Sequence, residues 1–339
     1  MKGLINIGNT CYMNSALQCL IHIPEIRNFF LIGRHKDYLN SDIPEEQLCL
    51  QFEILTYNMC QNRDIKTINP IDFVKTFLMV CSNKNRIFNG FQQNDMGDFL
   101  NILLEFLHNS ISNSISIRIN GVIKTIGDKH AFDAANSWGQ FFKKSHSHII
   151  EMLYSQIIST TICPNCKHSC FNYEPSLTID LSIPNNIHSS SLKLYDLLDS
   201  YTKVEVLDTD NQWKCDECKT RVNCMKKIHF WKLSPVLIII IKKYNLNFKI
   251  NQSIDYPFIL DMTKYCMNYN DSNLKYKLNS VCIHEGGLNG GHYWSMCNKY
   301  GTWYKYNDDY ITKIDDNDEV KHDDAYCLIY RRYDNKYKI

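Results

Sequence analysis

The sequence lacks a long hydrophobic run. The longest, Val236 to Ile241, has six residues, whereas a membrane-spanning helix needs about 18. The sequence also lacks an excess of either charge, because 37 Lys and Arg residues nearly cancel 36 Asp and Glu residues and no long run carries one sign. Binding to a membrane surface or to nucleic acid through bulk charge is therefore disfavoured. We expect a monomer with neither kind of partner.

The sequence leaves no room for a signal peptide, since its first motif begins three residues into the chain. We therefore expect an intracellular, cytoplasmic protein, in the cytoplasm of the host if the source is a virus or a parasite. Fifteen cysteines in such a chain are better explained as a catalytic thiol, metal ligands and core residues than as disulfides. The 339 residues suffice for a large core and for about two domains, or one with a large insertion.

The first twenty residues place one cysteine at the start of a helix. A polar turn with glycines precedes Cys11, and apolar residues follow at helical spacing until Pro24 ends the pattern. Asn9 or Thr10 could cap the first turn. Because the N-terminal end of a helix favours a thiolate, we expect the pKa of Cys11 to fall from about 8.5 toward neutrality when a histidine approaches. The amide of Asn6 could then stabilise the oxyanion formed when the thiolate attacks a carbonyl.

Most free cysteines are small core residues, and this is the alternative for Cys11. Against it, the stretch from Gly3 to Leu20 resembles the cysteine box of the ubiquitin-specific proteases almost without a break. The resemblance extends to later stretches over most of the chain. It implies a papain-like cysteine protease fold of the α+β class, built from a thumb, a palm and zinc-tipped fingers.

The partners that a cysteine nucleophile needs lie near the other end of the chain. A glycine-rich loop runs from His284 to Gly291 and is followed by a strand at whose start His292 could reach a cleft as a base. The resemblance assigns the catalytic role to His292 and leaves His284 structural. It aligns Asn307 with the third member of the triad and Asp308 with an acidic residue that supports the site. One alternative is that Asn307 and Asp308 simply belong to an ordinary polar turn. A second alternative is that Asp308, and not Asn307, orients the imidazole.

The resemblance also assigns residues to substrate binding. Phe91 to Leu100 resembles the glutamine and aspartate box, whose acidic residues bind the arginines and the backbone of the substrate's C-terminal tail. Asp95 is the stronger candidate and Asp98 the weaker, because the residues around Asp98 depart from the family pattern. Acidic residues in a first helical turn also simply complement the helix dipole. Gly290 and Gly291 would let the backbone pass close to an extended Gly-Gly tail.

Four cysteines form two CxxC pairs separated by 48 residues: Cys163, Cys166, Cys215 and Cys218. Four thiolates at about 2.3 Å from one ion form a closed tetrahedral zinc site. The zinc would be structural, and no catalytic cofactor is expected; Cys170 and Cys224 are expected not to be ligands. In the family such a site lies at the tip of finger hairpins that grip ubiquitin. A nucleic-acid zinc module is the rival interpretation, but no basic recognition helix separates the two pairs.

We expect one catalytic domain over residues 1–339. Its helical thumb would span 1–150, its zinc-tipped fingers 151–230, and its palm sheet 231–339, with the catalytic histidine and asparagine on the palm and some strands contributed by the finger region. The run from Val236 to Ile241 predicts a buried strand. The polar, isoleucine-rich segment 110–127 predicts a hairpin or a mobile insertion.

The predicted activity is that of a cysteine-type deubiquitinase, with Cys11 attacking the carbonyl of the terminal glycine of ubiquitin and ubiquitinated proteins as substrates. Three alternatives remain open. A deconjugase for another ubiquitin-like modifier would share every motif. A catalytically silent ubiquitin-binding protein is disfavoured by the complete set of Cys11, His292 and Asn307. A zinc-dependent nucleic-acid binder is the third.

Overall fold

The computed structural model describes residues 2–41, 43–64, 66–86, 88, 92–184, 192–244, 249–267, 274–287 and 290–333. Every predicted site residue lies within these ranges, whereas Leu288 and Asn289 of the glycine-rich loop and Phe91 lie outside them. All fifteen cysteines are described and none forms a disulfide, in agreement with the prediction. No helix in the described ranges is long and apolar enough to cross a bilayer.

Seven of the eight α-helices in these ranges precede the first long strand. Proline begins two of them, since its fixed φ suits a first helical turn that has no use for its missing N–H. The helices are α1 (Cys11–Ile21), α2 (Pro24–Leu31), α3 (Pro44–Cys60), α4 (Ile71–Asn83), α5 (Met96–Ser110), α6 (Ile126–Phe142), α7 (His148–Leu153) and α8 (Leu194–Tyr201).

The strands lie mostly in the second half of the chain. They are β1 (Gly3–Leu4), β2 (Thr67–Ile68), β3 (Ser155–Ile162), β4 (Ser169–Ser176), β5 (Thr178–Ser182), β6 (Leu192–Lys193), β7 (Glu205–Val206), β8 (Trp213–Lys214), β9 (Arg221–Val222), β10 (Met225–Lys232), β11 (Val236–Lys242), β12 (Ile254–Asp255), β13 (Ile259–Asp261), β14 (Lys275–Gly287), β15 (Gly290–Lys299), β16 (Thr302–Asn307), β17 (Tyr310–Ile314) and β18 (Ala325–Arg332).

The largest sheet has the order β17-β16-β15-β14-β18-β11-β5, with β13 paired to β14. The predicted strand β11 lies inside it, parallel to β5 and antiparallel to β18. Its alternate residues enter two different cores: Val236, Ile238 and Ile240 pack with the N-terminal helices, while Leu237, Ile239 and Ile241 pack on the other face. This two-sided burial explains why β11 is continuously apolar rather than alternating.

The second sheet has the order β4-β3-β10-β7, and β8 pairs with β9 in a separate two-stranded sheet. One pair lies in the turn between β3 and β4, and the other in the turn between β8 and β9. The strand β5 and the helix α8 lie between the two pairs in sequence but pack together at the edge of the largest sheet. The boundaries at residues 150 and 230 stay predictions.

The hairpin expected within 110–127 is wrong. The described residues 114–125 contain no strand, and the one bridge nearby pairs Asn113 with His146. The segment lies along α6 instead: the N–H of Ile115 donates to the carbonyl of Lys143 at 2.8 Å, and Ile117 packs over Gly139. Its alternating isoleucines are therefore used against a helix rather than in a strand pair.

Candidate active site

The turn before α1 is held by the side chain of Asn6. Its Oδ1 accepts hydrogen bonds from the backbone N–H of Gly8 at 3.2 Å and of Thr10 at 3.1 Å. Thr10 occupies the N-cap position but its hydroxyl makes no cap bond, since it accepts from the N–H of Ile7 and contacts Asn6 Oδ1. Asn9 follows with φ +53°, in the left-handed region that Asn tolerates. The turn thereby delivers Cys11 as the first residue of α1.

The thiol of Cys11 is only 4% exposed, and this changes its acidity. Burial raises the pKa of Cys11, and the negative charge of Asp308 raises it further, whereas the backbone N–H groups of Tyr293, Tyr12 and Cys11 itself lower it; the net direction is upward. The expected fall in pKa requires a histidine in contact with the thiol, and within the described residues no hydrogen bond joins Cys11 to His292.

His292 and Asn307 are brought together as predicted from the resemblance. They lie on the neighbouring strands β15 and β16, and His292 Nε2 is 2.5 Å from Asn307 Oδ1. An amide oxygen only accepts hydrogen bonds, so Nε2 must carry the proton and the neutral ring has Nδ1 as its basic nitrogen. This pair fixes the tautomer that a general base requires.

Asp308 joins the two ends of the chain at the site. Its Oδ2 accepts from Asn6 Nδ2 at 3.0 Å and lies 4.0 Å from His292 Nε2, and its backbone carbonyl accepts from the N–H of Leu4 at 2.9 Å. The approach is so close that a Cβ on Gly3 would lie 2.3 Å from the carbonyl oxygen of Asp309. Glycine at position 3 is therefore required for the contact.

Asn14 is a site residue that the sequence interpretation missed. Its side chain is 2% exposed, and its Nδ2 donates to Asp308 Oδ1 at 2.8 Å and contacts the carbonyl of Leu4 at 3.2 Å. The signal was an amide one helical turn after Cys11, on a helix that is buried throughout. A buried amide needs partners, and one of them, Asp308, lies in the turn between β16 and β17, 294 residues away.

A cleft of about 290 Å³ opens beside Cys11. Gln93, Asn94 and Asp95 form one wall, ahead of α5, and Gly290 and Gly291 belong to the other. Gln93 Nε2 contacts the carbonyl oxygen of Gly291 at 3.4 Å across the cleft. A Cβ on Gly291 would lie 2.4 Å from His284 Nε2, so this position also requires glycine.

His284 lines the cleft but is not the partner of Asn307. It lies on β14 opposite Tyr293, stacks on that ring at 4.1 Å between centroids, and its Nδ1 is hydrogen-bonded to the hydroxyl of Tyr244. Burial lowers the pKa of His284 to about 4, so the ring is neutral at physiological pH. These contacts fit the structural role expected for it.

The two acidic candidates for substrate binding differ in their surroundings. Asp95 is the N-cap of α5: its Oδ1 accepts from the N–H of Gly97 at 2.7 Å and of Asp98 at 3.1 Å, and both its oxygens accept from the hydroxyl of Tyr326. Asp98 is exposed, and partial burial together with the charge of Asp95 raises its pKa. Asp95 thus has a clear structural role, while the carboxylate of Asp98 is open to solvent.

The four predicted metal ligands converge. Their sulfur atoms lie within 4.8 Å of one another, and two of the separations are 3.8 Å and 3.5 Å, near the ~3.8 Å between sulfurs that a tetrahedral site with ~2.3 Å bonds would have. The two turns share one backbone pattern, with Lys167 and Lys219 in the left-handed region and each donating its N–H to the carbonyl of the first cysteine. Cys170 and Cys224 are not part of the cluster, which can hold one metal ion.

Comparison with known proteins identifies the family. The family model described as ubiquitin carboxyl-terminal hydrolase matches residues 2–330. The chain belongs to this family. It is 28% identical to Usp2 of Drosophila melanogaster and 30% identical to ubiquitin carboxyl-terminal hydrolase 4 of Vanderwaltozyma polyspora, in each case over 97% of its length. These alignments cover 34% and 41% of the two relatives, so the chain spans well under half of either.

Two further comparisons show how much of another family member's length the chain covers and how similar its fold is to that of a solved structure. A probable ubiquitin carboxyl-terminal hydrolase of Acanthamoeba polyphaga mimivirus is 27% identical over 98% of the chain and 90% of its own length. The SAGA Ubp8/Sgf11/Sus1/Sgf73 DUB module bound to ubiquitin aldehyde contains a chain that is 25% identical, with a TM-score of 0.76 over 98% of this chain and 70% of that one. The predicted family and fold class, a papain-like α+β fold with thumb, palm and fingers, are confirmed.

Replacing Asn14 by alanine should destabilise this family member. The change leaves Asp308 Oδ1 without its donor, which costs about 1–3 kcal/mol of unfolding free energy. Ser15→Ala is the matched control, since Ser15 is the next residue of the same buried helix and does not contact Asp308. Urea unfolding of both variants measures the difference. Equal stability of the two variants would show that the Asn14 to Asp308 contact contributes nothing.

The raised pKa of Cys11 predicts its reaction with iodoacetamide. Only the thiolate reacts, and a thiol whose pKa is raised gains thiolate only at high pH, so the alkylation rate of the free protein should still be rising at pH 9. Peptide mass spectrometry follows Cys11 separately from the other thiols, and Cys11→Ser gives the background. A rate that levels off near neutrality would mean that His292 already pairs with the thiolate in the free protein.

Proposed function

We propose that this chain is a cysteine-type deubiquitinase, which hydrolyses the isopeptide or peptide bond after the C-terminal glycine of ubiquitin. The observation that carries the proposal is the hydrogen bond from His292 to Asn307 beside the cleft that contains Cys11. Support for the substrate comes from the relatives, which are named ubiquitin carboxyl-terminal hydrolases, and from the structural neighbours, whose titles describe bound ubiquitin aldehyde or monoubiquitin. Ubiquitin and ubiquitinated proteins are the proposed partners.

In the proposed reaction His292 Nδ1 takes the proton of the Cys11 thiol, because Nε2 is committed to Asn307. The sulfur attacks the glycine carbonyl, and the tetrahedral intermediate collapses to a thioester as His292 gives the proton to the departing lysine amine. Water then attacks the thioester, losing a proton to His292, and the returning thiolate completes the cycle. Asp308, 4.0 Å from Nε2, stabilises the charged imidazole from a distance.

The oxyanion would be held by two N–H groups. The backbone N–H of Cys11 is one of the first in α1 and has no partner within the helix. Asn6 Nδ2 has two hydrogens and gives one to Asp308, which leaves the second for the oxyanion. Since Asp308 and the 6–10 turn both hold the Asn6 amide, this donor is preorganised, which is the condition under which such groups contribute most to catalysis.

The substrate tail would enter between the wall ahead of α5 and the glycines of β15. The Gln93 to Gly291 contact crosses this path and has to break when the tail binds. Gly290 and Gly291 leave room for the backbone of the tail, and Asp98, whose carboxylate is exposed, would meet a cationic side chain. Asp95 would position the start of α5 and accept from the tail. Tail binding would also bring Cys11 and His292 into contact.

The cysteine cluster would hold one structural zinc ion. Its donor set of four thiolates is the one that closed zinc sites use, and no ligand position is left for chemistry. Zinc would fix the tips of the two hairpins relative to each other. We further propose that 1–150 forms the thumb, 151–230 the fingers that grip the body of ubiquitin, and 231–339 the palm.

A probe experiment tests the activity. Ubiquitin with a thiol-reactive warhead at its C-terminus should add one ubiquitin mass to the wild type and none to Cys11→Ser, because the warhead lies where the scissile carbonyl would be. Intact-mass measurement gives the result, and probes made from other ubiquitin-like modifiers run alongside.

The outcomes of this experiment separate the alternatives. No adduct with any probe, while Cys11→Ser still binds ubiquitin, would mean a silent binding protein. An adduct with another modifier in preference to ubiquitin would mean a different deconjugase. Either result would overturn the proposed function.

Two cysteine variants test whether the cluster binds zinc. Cys166→Ser should lose the one zinc ion per chain and bind ubiquitin more weakly, because it removes a ligand from a closed site. Cys170→Ser is the matched control, since Cys170 lies four residues on and outside the cluster. Elemental analysis measures the zinc, and ubiquitin affinity is measured in the Cys11→Ser background. Full zinc content in Cys166→Ser would exclude the four-thiolate site.

A further inference from the structure

A second cavity, of about 430 Å³, lies at the other end of α1 from Cys11. His22, which follows α1, lies on its wall, about 16 Å from Cys11 at 1.5 Å of rise per residue. The remaining wall comes from the start of α2, the start of β14, the turn between β15 and β16, and the end of β18. It shares no wall residue with the cleft beside Cys11. We name it the basic cavity after its five cationic wall residues: Arg27, Lys277, Lys299, Arg331 and Arg332.

Three of these cations have no carboxylate beside them among the described residues. Arg331 pairs with Glu25 through two hydrogen bonds, at 2.8 Å and 2.5 Å. Among the described residues, no carboxylate lies within 4.0 Å of the side-chain nitrogens of Arg27, Lys277 or Lys299. No Asp or Glu is among the described wall residues. The cavity therefore concentrates positive charge in a chain whose charges otherwise balance.

Such a concentration is unfavourable unless an anion offsets it, because like charges held in a concave site repel one another. The charges of the wall residues also act on a cysteine outside the wall. Burial raises the pKa of Cys60, and the charges of Arg27 and Lys299 from the cavity wall, together with that of Lys2 from outside it, act in the opposite direction. Two of the wall cations thus act on the same point.

The shape of the cavity limits the class of anion. Its volume lies within the range of small-molecule sites, about 300–1,000 Å³, whereas an acidic protein segment needs a longer groove. Arginine and lysine suit phosphate oxygens. Asn279 also lies in the wall, but its Nδ2 donates to Ser280 Oγ at 2.8 Å and contacts the carbonyl of His22 at 3.4 Å. Tyr300 and Tyr333 are exposed at the rim, where a ring could cover an organic group.

We propose that the basic cavity binds a small molecule with two or more phosphate groups, either a nucleotide or a polyol polyphosphate. The proposal is independent of the proposed function, because no wall residue belongs to the catalytic site. Arg27, Lys277 and Lys299 bind the phosphates, and the tyrosines contact the rest of the molecule.

Calorimetric titration of the 339-residue chain tests the proposal. The probes are inorganic pyrophosphate, ATP, inositol hexakisphosphate and a polyglutamate peptide. The double variant Lys277→Glu/Lys299→Glu is compared with Lys75→Glu/Lys129→Glu, which changes the net charge equally with lysines that are exposed on α4 and α6. We expect ATP or inositol hexakisphosphate to bind one per chain. The first variant should weaken this binding at least about tenfold and the second less than about twofold.

The three phosphate probes separate the two sources of the ligand. Tighter binding of ATP than of pyrophosphate indicates a nucleotide, and tighter binding of inositol hexakisphosphate indicates a polyol polyphosphate. The proposal is overturned when the wild type binds none of the phosphate probes, when the peptide binds most tightly, or when both double variants lose affinity equally. Circular dichroism checks folding, and Lys277→Ala, expected to weaken binding about threefold, replaces the double variant should it not fold.

Discussion

The carboxylate of Asp308 is the contact on which the site depends. One oxygen binds Asn6, the other binds Asn14, and the backbone carbonyl of the same residue binds the N–H of Leu4. These bonds attach the turn that delivers Cys11 to the strands that carry His292 and Asn307, across about 300 residues of sequence. The two halves of the site come from opposite ends of the chain, and a partly buried carboxylate with a hydrogen bond to each oxygen joins them.

The same arrangement explains what could be predicted from the sequence. Local patterns sufficed for the helix after Cys11, the buried strand β11 and the two CxxC turns, because each is decided by neighbouring residues. The pairing of His292 with Asn307 came from the resemblance. The role of Asn14 and the bonds from Tyr326 to Asp95 were not predictable, because they join residues 294 and 231 positions apart. Only the folded chain places these groups together.

Two features of the structure differ from the sequence pattern for physical reasons. At Cys11 burial outweighs the donors around the thiol and raises its pKa, and the histidine contact on which the expected fall depends is not made among the described residues. In segment 114–125, alternating isoleucines suggested strands, yet the segment runs along α6, where the N–H of Ile115 donates to Lys143 and Ile117 contacts Gly139. Ile117 and Ile119 stay exposed there, so the alternation indicated neither a strand pair nor a buried face.

The matching backbone bonds of the two CxxC turns bear on how the cysteine cluster assembles. Each turn forms from contacts within six residues, so neither waits for the other. Joining them closes a loop of 48 residues, at a cost of about 3 kcal/mol in chain entropy. Much of this entropy is already lost when β3 pairs with β10. That pairing sets Ile162 opposite Met225, and these residues are next to Cys163 and Cys224. A slip of one residue in that pairing would turn the side chains of one strand to the opposite face of the sheet and shift Ile162 relative to Met225. Binding of one metal ion by all four thiolates would then favour the register in which the two turns meet.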